Sequence, residues 1–380
     1  MENIPAISIR STRQTMSDRK SPFYVPVPLH FLGWHVHQYR RLWIWLGHLE
    51  SKRLAEKLQE VPVTMPIYIT GLARSGSTLL HEIVASHTGV ATHRIKDYPM
   101  VFTPYWWRQA TARLNPTQPR ERVHQDRIVI SSESPEALEE MLWMAFFPRS
   151  HDPARDNRLT EGYRHSEFER FYLSHLRKIL LAEQAERYAA KANYHVARLT
   201  YLDRLFPDAR FLIPVRAPCT HIVSLMRQHH RFLKGQRNNS RALAFMQRSG
   251  HFEFGNDRRP MNLGDTSRVR SILRAWRRGE EVLGWALYWD MVYDYLAHLL
   301  QSQPALRKRV RVIPYEELCA TPEKTFRALL DHCGLSQIEQ VVSKFERTIR
   351  LPDYYENSLT VAEQCLIKDV TTATARKWGY

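Results

Sequence analysis

Cysteine is scarce in this chain. There are four in 380 residues, Cys219, Cys319, Cys333 and Cys365, and none sits in a C-x-x-C pair. That spacing offers neither a zinc site nor a disulfide framework, and it fits a reducing compartment. A signal peptide is also missing, because Arg10, Arg13, Asp18, Arg19 and Lys20 interrupt any apolar core near the start. No run is apolar enough to cross a bilayer. The most membrane-like stretch, FLGWHVHQYRRLWIWLGHL at 31–49, carries Arg40, Arg41 and three histidines. It reads as an N-terminal helix docking its tryptophans on the domain, with peripheral membrane contact through 30–50 as the other reading. The expectation is a cytoplasmic protein. Acidic residues are few beside basic ones, 39 against 55, for a net charge of +16. That excess implies an anionic partner, whether nucleic acid, anionic lipid or an anionic cofactor. The densest basic stretch, RQHHRFLKGQR at 227–237, matches no nucleic-acid module.

What is present is ordinary globular composition, 43% hydrophobic and 25% charged, and 380 residues are enough for one large α/β domain with insertions or two modest domains. Residues 1–28 are polar and read as irregular. Residues 30–60 read as helical, so 1–61 form an N-terminal extension and helix. Strands are expected at 67–70, 210–215 and 309–314, each followed by a helical pattern: 78–87, 219–233 and 322–333. Thr321, Pro322 and Gly334 suit the cap, first position and stop of the last helix. Strands alternating with helices predict a parallel β-sheet flanked by helices. The stretches 104–190 and 235–305 look mostly helical and read as insertions.

YITGLARSGSTLLHEI, residues 68–83, resembles a nucleotide-triphosphate loop without its lysine. Gly71, Gly76 and Thr78 fit G-x-x-x-x-G-K-[ST], but Ser77 occupies the lysine position. The backbone N–H groups of such a turn, with a helix N-terminus behind them, form an anion site. Ser75, Ser77 and Thr78 add hydroxyls and Arg74 adds a forked cation. A second anion site is expected at FLIPVRAPCTHIVSLMRQHHRF, 211–232. There Arg216 ends a strand and Ser224 lies about two turns into the next helix.

A lysine-free R-S-G-[ST]-T loop, followed by a strand ending R-x-P with serine at plus eight, resembles the sulfotransferase family, and the bacterial members more than the cytosolic ones. ARLTYLDRLFPDARFLIPVR at 197–216, VRVIPYEELCATPEKTFRALLDHCGL at 310–335 and ARKWGY at 375–380 extend the resemblance over roughly 62–380. It implies a P-loop-like sulfotransferase fold with helical insertions. It implies 3′-phosphoadenosine 5′-phosphosulfate (PAPS) as sulfuryl donor and no metal. It implies that Arg74, Ser75, Gly76, Ser77 and Thr78 hold the 5′-phosphosulfate, and Arg216 and Ser224 the 3′-phosphate. Ala73 stands where a proline is common, and Ala217 where the family's R-D-P motif carries aspartate. The second change removes a carboxylate beside Arg216.

The implied reaction is an in-line displacement onto an acceptor hydroxyl or amine of a small molecule, lipid or carbohydrate. Arg74 then faces the leaving oxygen and a base takes the acceptor proton. Asp97 in THRIKDYP is the first candidate base, at the sheet edge where open α/β sheets bind ligands. His195, His93 and Glu136 follow, the last lying with Glu133 in SSESPEALEEML at 131–142, which reads as a helix start, and Lys191 is placed to assist the transferring oxygens. Cytosolic members carry Lys-x-His about two dozen residues before the phosphate arginine; here Asn193 takes the histidine position and His195 is displaced by two. HEIVASH at 81–87 and WHVH at 34–37 lack metal-ligand spacing. The alternatives are a P-loop kinase or NTPase, which the missing lysine disfavours, and a non-catalytic nucleotide or polyanion binder.

Overall fold

A computed structural model of the chain describes residues 21–121, 129–345 and 359–380, so most of the irregular segment expected at 1–28 lies outside the described residues. The helical stretch expected at 30–60 is three helices, α1 (Val27–Gln38), α2 (Arg40–Arg53) and α3 (Ala55–Gln59). The breaks fall at Tyr39 and Leu54, whose ψ angles of 35° and 11° leave the helical region.

Strand β1 (Ile67–Ile69) feeds the glycine loop and α4 (Ser77–Ala85). Then come β2 (Val90–Ala91), α5 (Pro104–Thr111), a hairpin of β3 (Arg120–Glu121) and β4 (Val129–Ile130), α6 (Glu140–Phe146) and α7 (Ser166–Glu183). Strand β5 (Arg187–Lys191) and α8 (Leu199–Leu205) lead to β6 (Arg210–Val215) and the long α9 (Pro218–Gln236). Helices α10 (Ser240–Ser249), α11 (Thr266–Arg277), α12 (Glu281–Ser302) and α13 (Pro304–Arg309) precede β7 (Val310–Pro314). The described chain closes with α14 (Tyr315–Ala320), α15 (Pro322–His332), α16 (Glu339–Phe345) and α17 (Val361–Lys377).

The main sheet is parallel, in the order β2-β5-β1-β6-β7. Alternation along β1 splits the core into two layers. Tyr68 packs with Phe211, Tyr172 and Trp289 on one face, while Ile67 and Ile69 pack with Leu80, Ile83 and Phe326 on the other. After β1 the chain runs to the β2 edge, returns through β5, then crosses β1 to β6 and β7. The strand order therefore reverses around the carboxyl end of β1, the position at which open α/β sheets hold ligands.

Three expectations need correction. The stretch 104–190 closes on β5, a central strand whose sequence RYAAK carries too little apolar patterning to announce itself. Residues 131–139 are not a helix start: the helix begins at Glu140, and Glu133 pairs instead with Lys96 at 2.6 Å. Thr321 makes no side-chain cap, because its hydroxyl donates back to the Glu317 carbonyl at 3.2 Å. Gly334 does stop α15, with φ of +63°.

The N-terminal helices are fastened into the domain. Glu50 on α2 pairs with Lys178 on α7 at 2.8 Å, and neither side chain has solvent exposure. Glu50 also accepts the Trp106 N–H at 2.6 Å, and Lys178 donates to the Gly47 carbonyl at 3.1 Å. A Cβ at Gly47 would stand 2.7 Å from the Phe102 carbonyl, so only glycine lets α2 approach this closely. Among the described residues no helix is long and apolar enough to cross a membrane.

Candidate active site

Four β-to-α junctions bring side chains to the carboxyl edge of the sheet. The first is the glycine loop. Gly71, Arg74 and Gly76 all have positive φ, at +147°, +69° and +106°. A Cβ at Gly76 would come 2.8 Å from the Tyr315 ring, so the loop passes too close to β7's exit for any side chain. Gly76 is the N-cap of α4, and the first N–H groups of a helix have no acceptor inside it. Ser75 and Ser77 are buried beside them.

His221, on the second turn of α9, holds this loop from below. Its Nε2 donates to the Ala73 carbonyl at 2.8 Å. Burial, helped by the charges of Arg216 and Arg74, lowers its pKa to about 3, so the ring stays neutral and keeps a fixed tautomer. Sequence reasoning missed this residue. A histidine one turn past the R-x-P junction was the available signal.

The second junction joins the first. Arg74 Nε donates to Ser224 Oγ at 3.3 Å, and Arg216 reaches the Arg74 carbonyl at 3.5 Å. Arg216 also donates to Thr220 at 3.3 Å and lies 4.5 Å over the Tyr315 ring. Arg216 and Ser224 are both buried. The structure thus brings Arg74, Ser75, Gly76, Ser77, Arg216 and Ser224, named from the sequence as two sites, into one cluster. Arg74, half-buried, and Arg216, buried, bring two permanent positive charges to one junction, which favours an anion there.

The fourth junction supplies what position 217 lacks. Glu316, just past β7, accepts the Ala217 N–H at 3.1 Å, and the Tyr380 hydroxyl sits 2.5 Å from its other oxygen. A carboxylate therefore stands beside the Arg216 junction, but it comes from the neighbouring strand.

The third junction, after β5, carries Lys191, which lies in register with Ile69. Two residues on, the Asn193 carbonyl accepts the Thr70 hydroxyl at 3.2 Å, tying β5's exit to the start of the loop. The Asn193 amide donates to Glu253 at 2.6 Å, and His251 lies 3.8 Å from the same carboxylate. Burial pulls the His251 pKa down. The negative charge of Glu253 outweighs it, Glu136 adds to the rise, and the pKa ends above its ordinary value despite Lys191. Glu253 is correspondingly held below its ordinary value: burial pushes it up, but His251, Lys191 and Asn193 prevail. His251 and Glu253 keep 22% and 15% exposure, so both remain open to solvent. Sequence reasoning missed this pair too. Its signal was HFEF between Gly250 and Gly255, where Phe252 and Phe254 are core and the alternate positions face outward.

Of the other candidate bases, Asp97, His195 and His93 are enclosed. Asp97 is fully buried. Its oxygens take Arg108 Nε at 3.0 Å, Arg108 Nη2 at 2.5 Å and the Arg94 N–H at 2.8 Å. Burial alone would raise its pKa, but Arg108 and His93 hold it well below the usual carboxylate range. A buried carboxylate tied to arginine holds structure and accepts a proton poorly. His195 is fully buried 2.8 Å from Glu139, against Tyr68 and Trp143. His93 is buried in a 3.0 Å contact with His175. Glu136 accepts its neighbour Ala137's N–H at 2.8 Å and acts on His251 by charge.

The Sulfotransferase family model matches residues 66–252. No curated protein matches the chain significantly. Among solved structures, the chain is similar to the sulfotransferase STF9 from Mycobacterium avium, at 15% identity over 97% of this chain and 91% of that one, with a TM-score of 0.49. It is also similar to the sulfotransferase STF1 from Mycobacterium tuberculosis H37Rv, at 17% identity over 86% and 81%, TM-score 0.46. A sulfotransferase from Alicyclobacillus acidocaldarius gives 13% identity over 83% and 94%, TM-score 0.42.

Proposed function

We propose, from the premise that residues 66–252 are sulfotransferase-family sequence, that this protein moves a sulfuryl group from PAPS to an acceptor hydroxyl or amine. The observation that carries this reading is the contact of Arg74 with Ser224 at 3.3 Å, which joins the glycine loop to the Arg216 junction. A donor with phosphates at both the 5′ and 3′ positions needs two anion sites in one cleft. A nucleoside triphosphate needs one, with a lysine at the place Ser77 holds.

The chain's residues suit such a donor. The loop 71–78, with Ser77 and Thr78, is assigned the 5′-phosphosulfate, and Arg216 with Ser224 the 3′-phosphate. The Tyr315 ring, 4.5 Å below the Arg216 guanidinium, supports it in place. The bound donor supplies an activated sulfuryl group. Arg74 faces the bridging oxygen that leaves with the electron pair, and Lys191 faces the transferring oxygens. One preorganised donor of this kind contributes about 10²–10³ in rate. His251 takes the acceptor's proton as the new S–O (or S–N) bond forms, and Glu253 orients it and favours its protonated form. His251 replaces Asp97 as the proposed base because it is reachable and its pKa is raised rather than depressed.

The test is calorimetry with adenosine 3′,5′-bisphosphate, 5′-AMP and ATP. The bisphosphate is expected to bind best. Arg216→Ala should remove that preference, losing about 1.5–3 kcal/mol of a charge-assisted contact, or 10- to 150-fold in affinity. Tighter binding of ATP, or ATP hydrolysis by the wild type, would overturn the proposal in favour of a kinase or NTPase.

A further inference from the structure

Helices α1 and α2 cover the domain with one face and leave the other bare. The inner face packs through Val36, Gly47 and Glu50. The outer face carries Val27, Phe31, Trp34, Tyr39, Leu42 and Trp45, each 44–62% exposed. These six come from nineteen consecutive residues and make up most of the large apolar side chains exposed among the described residues. Spacings of four and three put Val27, Phe31 and Trp34 on one side of α1, and Leu42 and Trp45 do the same on α2. A contiguous apolar patch of this kind marks an interaction surface.

Its charge surroundings select the partner. Arg40 and Arg41 are exposed at the bend between the two helices. Arg248 donates to the His30 carbonyl at 2.9 Å, and Arg241 lies 5.8 Å over the Tyr24 ring. A small groove beside the patch has Arg40, Arg248 and His37 together with a floor of Val36, Phe102, Met141 and Met144. Burial lowers His30 and His37, and the arginines lower them further. Exposed tryptophans and tyrosine on one side of a helix pair, rimmed by arginine, match the interface of an anionic bilayer: rings at the headgroup level, guanidiniums on the phosphates.

We propose that the outer face of α1 and α2 docks this protein on an anionic membrane surface, with Phe31, Trp34 and Trp45 entering the headgroup region and Arg40 and Arg41 pairing with lipid phosphates. This rests on the helix pair alone and not on the sulfuryl-transfer reading. The attachment is peripheral, because the inner face of both helices remains bound to the domain through the buried Glu50–Lys178 pair.

The test is cosedimentation of the full chain with vesicles of phosphatidylcholine alone and of phosphatidylcholine mixed with phosphatidylglycerol, at low and high salt. The wild type should pellet with the mixed vesicles, weakly with phosphatidylcholine alone, and less as salt rises. Arg40→Gln with Arg41→Gln should weaken binding about 30-fold, about fivefold per arginine. Trp34→Ser with Trp45→Ser should abolish it. Both double variants change exposed side chains, so their melting curves should match the wild type and act as the folding control. Failure to pellet with mixed vesicles would overturn the proposal, as would binding that neither variant alters. A dimer in light scattering that Trp34→Ser with Trp45→Ser dissociates would instead assign the face to a second copy of the chain.

Discussion

The buried pair Glu50–Lys178 sets how firmly the N-terminal helices belong to the domain, and a double-mutant cycle measures it. Removing one partner leaves an uncompensated buried charge, so Glu50→Leu or Lys178→Met alone should each cost about 3–5 kcal/mol. The apolar swap of both is near neutral in itself, but it strips partners from the Trp106 N–H and the Gly47 carbonyl. Each of those costs about 1–3 kcal/mol, so the double variant should lose about 2–6 kcal/mol where additivity predicts about 6–10. The shortfall, about 4 kcal/mol, is the coupling between the two residues. Urea unfolding followed by tryptophan fluorescence reads all four proteins. pH adds a second check. Burial raises the Glu50 carboxyl against the pull of Lys178. Removing Lys178 raises it further. A carboxyl raised in the folded state contributes fully below its ordinary pKa, and that contribution is lost as pH rises through the folded value. Lys178→Met should therefore be least harmful at low pH. Additive losses, or single losses under about 1 kcal/mol, would mean that the pair is solvated and that α2 is not anchored as described.

Gly76→Ala forces a non-glycine residue to a φ of +106° and drives its Cβ within 2.8 Å of Tyr315. It should cost about 1–2 kcal/mol from the backbone alone, visible as a lower Tm, and weaken bisphosphate binding by moving the ring under Arg216. Unchanged affinity would mean that Tyr315 does not support that arginine. Asp97, held below its ordinary pKa, contributes stability that is present above about pH 4 and lost as pH falls through its folded value. Asp97→Asn should flatten the acid limb of the stability curve and lower stability at neutral pH, while activity per folded molecule stays within a few-fold. A loss on the order of a thousandfold in kcat with stability intact would make Asp97 the base after all. His251→Ala should lower kcat by about 10²–10⁴. Glu253→Gln should instead shift the acid limb of kcat/KM to lower pH, because it removes the charge that raises His251. An unmoved pH profile would refute the pairing.

The glycine loop, the R-x-P junction and the parallel α/β layering were legible in the sequence because each is local. Glycines at fixed offsets dictate positive φ, and a helix starting right after a strand dictates where its N–H groups point. Arg74 and Ser224 could thus be named as candidate anion ligands from the chain alone. That they touch, 150 residues apart, follows only from β1 lying beside β6. The same holds for the carboxylate beside Ala217, which arrives from β7. Strand β5 was hidden because a strand covered on both faces needs no alternating pattern, and the small side chains of RYAAK give no apolar run. The base could not be chosen from residue types. Asp97, His195 and His251 are alike as titratable groups in a sequence, and burial alone separates them. Asp97 and His195 are sealed among partners, and His251 keeps partial exposure with a carboxylate 3.8 Å away. Local conformation is written in neighbouring residues; solvent access and charge environment are made by residues far apart, and only the packed structure decides them.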